Sequence, residues 1–191
     1  MNEFELPDWN APLDLEERLA AVPDDAQVKG LFFRSAVREA EKHGGHAPGR
    51  SSYSALASYP TKELVEVLVE SAELAHPGLP ARQALRRLGH MIFPAVRENP
   101  AGTFLFSVAG NNLASALRLL GRAYSLFSTS RANLVVTEEK RAVVEIRNAW
   151  TFPDCYHLGI IEGSLSTFHT QGEIRVRRLS LSDVDLELRW S

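Results

Sequence analysis

The chain is poor in almost everything that would announce a reaction. It has a single cysteine, Cys155, so no internal disulfide can form and a reducing, cytoplasmic setting is expected. It has no excess of positive charge. The net charge is −3, which supplies no global field for nucleic acid or an anionic membrane. Its first residues include Glu3, Glu5 and Asp8, where a secretory leader would place Lys or Arg before an apolar run. The best apolar stretch, Thr103 to Leu120, is broken by Gly110, Asn111, Asn112 and Arg118, so no membrane span is expected. There is no phosphate loop, no nucleophile–base pair in sequence, and no His/Cys cluster at metal-ligand spacing. These absences exclude whole classes of chemistry and leave architecture as the legible part.

What is there suffices for one core. At 191 residues, 45% of them hydrophobic, the chain can bury a substantial interior without dividing. Residues 1–12 hold two prolines and no helical period, and read as an extended arm whose Phe4, Leu6 and Trp9 can dock on a domain of residues 13–191. Helical periodicity runs through Leu13–Val22, Val28–His43, Thr61–Ala75, Ala81–Arg97 and a longer segment ending at Phe127. Thr61 or Ser58 suits the cap of the third of these, and Asn111 or Asn112 that of the last. Pro94 predicts a kink or an early stop in the fourth. The glycine-rich stretch His43–Ser52 reads as a mobile loop.

From Ser128 the period changes from helical to alternating. Leu134–Val136 and Val143–Trp150 flank the charged turn Glu138–Arg141, a hairpin pattern. A helix follows from Cys155 to His169, with Asp154 as its expected N-cap. Then Ile174 and Val176 alternate with Arg175 and Arg177, and Val184, Leu186, Leu188 and Trp190 alternate with Asp185, Glu187 and Arg189. The second set predicts apolar residues toward the helices and charged ones toward water. The expected fold class is therefore α+β, with a helical N-terminal half packed on one face of a four-stranded antiparallel sheet built as β-β-α-β-β.

The segment Cys155-Tyr156-His157-Leu158-Gly159-Ile160-Ile161-Glu162-Gly163, set between two hairpins, resembles the corresponding helix shared by haem NO-sensing domains, vinyl-4-reductase-type domains and the small subunits of the TRAPP tethering complex. Val28–Phe33, Tyr59-Pro60, Leu85–Gly89, Gly159–Gly163 and Trp190 together resemble a family of unknown function found as many paralogues in myxobacteria. That resemblance implies the fold and no established activity. The haem-binding relatives use a histidine on the long helix before the sheet and a Tyr-x-Ser-x-Arg motif. Here Tyr124 stands nearest the histidine's place, and Ser128-Thr129-Ser130-Arg131 does not match the motif, so no cofactor is expected.

Three function classes stay open. The first is a non-catalytic regulatory or protein-interaction module, associating as a homodimer through the Thr61–Ala75 and Pro80–Arg97 helices. The second is a sensor holding a small apolar or acyl-like ligand among Phe104, Phe106, Tyr124, Phe127 and Phe168, for which a cavity of ~300 Å³ or more is the signature. The third is an enzyme using Cys155 with His157, disfavoured because positions i and i+2 of a helix point about 200° apart. Gly159 and Gly163 read as glycines for close packing. Arg82, Arg86, Arg87 and Arg97 read as a solvated basic strip, and His43 and His46 sit in a loop too loose to fix a metal.

Overall fold

In the computed structural model, which describes residues 3–44, 46, 48–110 and 112–191 (backbone alone at 101 and 105), alternation dictates the sheet. β3 (Arg131–Glu138), β4 (Arg141–Arg147), β5 (Gly172–Arg178) and β6 (Val184–Trp190) form an antiparallel sheet in the order β3-β4-β6-β5. In register, Leu186 lies between Val144 and Val176, and Leu188 between Ala142 and Ile174. Their common face is buried against Leu158, Ile161 and Leu165 of α9 (Leu158–Thr167) and against Leu117 and Leu120. Each such aliphatic side chain contributes about 1.5–3 kcal/mol by leaving water. The chain is α+β, as the patterning predicts.

The outer face corrects one expectation. Asp185 and Glu187 do point away from the helices, yet they are 2% and 3% exposed rather than facing water. The reason is position: β6 is an inner strand, and arginines on both neighbouring strands fold over it. Asp185 accepts from Arg147 at 2.7 Å and from Arg177 at 2.6 and 2.9 Å, and Glu187 accepts from Arg141 at 2.8 Å and Arg189 at 3.2 Å. Burial alone would raise the Glu187 carboxyl, but hydrogen bonds from Arg141 and Arg189 hold it below its ordinary value.

The helical half contains α1 (Leu15–Ala21), α2 (Gly30–Lys42), α3 (Thr61–Ala75), α4 (Ala81–His90), α5 (Ile92–Glu98), α6 (Pro100–Ser107), α7 (Leu113–Arg118) and α8 (Leu120–Phe127). Two of the expected helices are divided. The Ala81–Arg97 helix breaks at Met91 and restarts, which places Pro94 in the first turn of α5, where a missing N–H costs nothing. The segment ending at Phe127 breaks at Leu119. Asn112 caps α7, accepting from the Ser115 amide at 2.9 Å, while Asn111 lies outside the described residues, as do Gly45 and Ala47 of the expected loop. Neither Thr61 nor Ser58 caps α3, since Pro60 occupies the cap position and Thr61 is buried. A short ribbon of β1 (Gln27–Lys29) and β2 (Ser58–Pro60) takes the start of what reads as a helix from Val28.

α4 crosses α9 at backbone contact. A Cβ added at Gly159 or Gly163 would collide with the carbonyl oxygens of Arg86 and His90, and one at Gly89 with that of Tyr156. The basic strip dissolves on this crossing: Arg82 is buried in an ion pair with Asp154, and Arg86 makes two 2.6 Å bonds to Glu162. Asp154 is thus a partner of Arg82 and caps no helix. The N-terminal arm lies along the edge strand, with Glu5 bridging Val176, while Phe4 and Trp9 pack under Arg177 and Arg86.

Candidate functional site

Between the helical half and the sheet a strained corner delivers two polar side chains into an apolar interior. After β4, Phe152 adopts a left-handed backbone (φ 57°) despite its bulk. Its carbonyl then accepts from the amides of Cys155, Tyr156 and His157, at 3.2, 2.8 and 3.3 Å, organising the π-helical turn Pro153–His157. This turn replaces the start of the expected helix and points His157 at Thr151 and α8. The ring is buried. Nδ1 lies 2.8 Å from the Tyr124 hydroxyl and Nε2 lies 2.7 Å from the Thr151 hydroxyl. In either neutral tautomer one ring N–H donates to a hydroxyl and the other hydroxyl donates to the ring, so both nitrogens are satisfied. Burial, with Arg18's charge adding to it, pushes the imidazole down to about 3, and burial pushes the Tyr124 phenol far above its ordinary value.

A cavity of about 50 Å³ adjoins this hub, lined by apolar side chains of α2, α3, α5, α6 and α8 as well as by Tyr124 and His157. Of the five aromatics expected around a ligand, Phe106, Tyr124 and Phe127 line it. Phe104 does not: it is 82% exposed, because two residues along α6 separate it from Phe106 by more than half a turn. Phe168 is also elsewhere, packed against Phe93 at 6.1 Å and under Arg97 at 5.4 Å. Tyr156 lines the cavity too, 1% exposed and with its hydroxyl lacking a partner among the described residues.

Sequence reasoning missed His157 as the centre of the site. It treated Cys155–His157 as an α-helical turn, whereas the π-helical turn and the Phe152 corner set its direction. Cys155 is inert: fully buried, its thiol is pushed up to about 12 by burial, with Asp154 adding to the effect. The imidazole is committed to Tyr124 and Thr151. Among the described residues no group of three His, Cys, Asp or Glu side chains is placed to hold a metal, and no helix is long and apolar enough to cross a membrane.

Residues 21–191 match a family described as a protein of unknown function, DUF2378. The chain belongs to that family. Among solved structures this DUF2378 chain is similar to an H-NOX protein from S. oneidensis in the Fe(II)NO ligation state, with 15% identity, a TM-score of 0.63, and coverage of 85% of this chain and 99% of that one. It is also similar to an oxygen-binding H-NOX domain related to soluble guanylate cyclases, at 15% identity and TM-score 0.59, covering 85% and 92%. A third is the Fe(II) unliganded H-NOX protein from K. algicida, at 12% identity and TM-score 0.56, covering 85% and 96%. No curated protein matches. The likeness is one of fold.

A haem, the group that the resemblance to NO-sensing domains raises for this chain, is not accommodated by the residues described here. The cavity of about 50 Å³ is several-fold below the ~300–1,000 Å³ of pockets for drug-sized ligands. The Tyr124 phenol, expected from the sequence to stand nearest the histidine's place, is bonded to His157, and its burial strongly disfavours the anionic form that iron would need.

Proposed function

We propose that this domain is a non-catalytic regulatory module that keeps the sensor architecture, fills the cofactor region with its own side chains, and acts through its surface. The supporting observation is the closed hydrogen-bond chain Tyr124–His157–Thr151, which uses both imidazole nitrogens beside a cavity of only about 50 Å³. Adding hemin to purified protein and recording the visible spectrum tests it. The expected result is no stoichiometric Soret band, with native mass spectrometry returning the bare chain. A sharp stoichiometric band that Tyr124→Phe removes would overturn the reading.

The Tyr156 hydroxyl, without a partner among the described residues, favours a second reading, a sensor for a small neutral molecule. A buried hydroxyl without a partner costs about 1–3 kcal/mol, which a polar atom of a ligand would recover. The volume admits a few non-hydrogen atoms and no acyl chain, since even benzene occupies a cavity of about 150 Å³. Loss of signal for a bound small molecule in Tyr156→Phe, by the same mass spectrometry, separates this reading from the first.

A further inference from the structure

Arg18 is a buried guanidinium without its own counter-ion. It sits on α1, 4.9 Å above the Phe152 ring, and among the described residues its one hydrogen bond goes to the Leu181 carbonyl in the β5–β6 connection. The nearby carboxylate, Asp154, is already taken: it pairs with buried Arg82 and lies 3.5 Å from Arg178. Asp154 is therefore engaged by Arg82 before Arg18 can pair with it. Burial pushes Arg18 below its ordinary pKa, with Asp154 acting in the opposite direction. Beside it, the Arg82 Nε and the Asp154 Oδ1 are buried without a hydrogen-bond partner among the described residues, and such groups are costly unless something meets them.

A cleft of about 370 Å³ opens on this group. Arg18, Arg82, Asp154 and Arg178 line it, and Asp14 and Glu17 complete the lining. Asp14 is partly engaged, accepting from the Glu17 amide at 2.8 Å. The Glu17 carboxylate is exposed. The cleft thus offers charges of both signs. Beyond Arg82 and Asp154, a neighbouring recess is lined by Glu3, Glu5 and Asp8, a field that repels multiply charged anions.

We propose that this cleft binds a small zwitterion of the α-amino-acid type, with its carboxylate on Arg18 and its ammonium toward Glu17 and Asp14. Arginine meets a carboxylate through parallel N–H bonds, stronger than neutral ones. The cleft volume lies in the range of ligand-sized pockets. The site is independent of the central cavity and gives a regulatory module an input without a cofactor.

Isothermal titration of the full chain with each free amino acid in turn, and with acetate and inorganic phosphate, tests the proposal. At least one amino acid should bind one-to-one, and acetate and phosphate at least about tenfold more weakly. Arg18→Gln should lower that amino acid's affinity by about tenfold or more. Because a buried substitution can unsettle the fold, Glu17→Gln provides a second arm on an exposed residue. It should weaken the amino acid while leaving acetate unchanged or tighter. Binding by none of the amino acids, phosphate binding as tightly as the best of them, or full affinity in Glu17→Gln would each overturn the proposal.

Discussion

At the scale of single residues, the neutral imidazole of His157 makes stability depend on pH. In the folded chain it takes a proton only near about 3, whereas an unfolded histidine takes one near about 6.5. The unfolded chain therefore gains the proton first as pH falls. The contribution of this group to stability is complete above about 6.5 and declines between there and about 3, by up to about 1.4 kcal/mol per pH unit. His157→Gln keeps a hydrogen-bonding side chain and removes the titration. Urea unfolding between about pH 7 and about pH 5 should show wild type losing stability more steeply than the variant; equal slopes would mean that His157 takes up its proton as readily in the fold as in the unfolded chain. This residue was the least legible part of the site in the sequence. Its role depends on a left-handed Phe152 and on a turn wider than an α-helix, and neither leaves a periodic trace. Tyr124 stood out in the sequence, but its partner His157 did not.

Whole elements were more legible, and the reasons for the failures are physical. Alternation located β5 and β6 and their apolar faces, because a one-residue slip would have buried the wrong set. It could not reveal that β6 is an inner strand, and so missed that arginines cover Asp185 and Glu187. Helical periodicity found α3 with its ends, Thr61 and Ala75, but ran through the breaks at Met91 and Leu119, where the chain resumes its helical course after a single residue. Gly159 and Gly163 read correctly as packing residues because small side chains one turn apart form a groove. The α4–α9 crossing depends on them. Gly159→Ala places a methyl against the Arg86 carbonyl, a backbone atom that cannot rotate away, so the helices must separate. Overpacking of this kind typically costs about 1–3 kcal/mol. Chemical denaturation should show that loss with the slope unchanged, and a neutral outcome would mean that the crossing is looser than described.

At the scale of the molecule, the distribution of apolar surface bears on association. α3 and α4 carry apolar stripes that suggest a dimer contact in the sequence, yet the fold uses them internally. Leu64, Val65, Leu68 and Ala72 of α3 and Leu85 and Leu88 of α4 are buried in the core of the helical half. Leu74 of α3 and Met91 after α4 are part-exposed, but the most exposed apolar side chains of the helical half are Phe104 on α6 and Val108 just after it. No charged residue occurs between Glu98 and Arg118, so this end of the helical half offers an uncharged, aromatic surface of the composition that marks an interface rather than a solvated face. We propose that the homodimer forms through it. In a two-fold dimer the same patch meets itself, so Phe104 of each copy lies within one shared contact and a single substitution is felt twice. Light scattering at rising protein concentration should therefore give about twice the monomer mass of 21.2 kDa for wild type and the monomer mass for Phe104→Asp, with unfolding midpoints that agree at concentrations where wild type is itself monomeric, because an exposed side chain is not part of the core. A wild-type chain that stays monomeric at the highest concentration, or a Phe104→Asp variant that still dimerises, removes α6 as the contact.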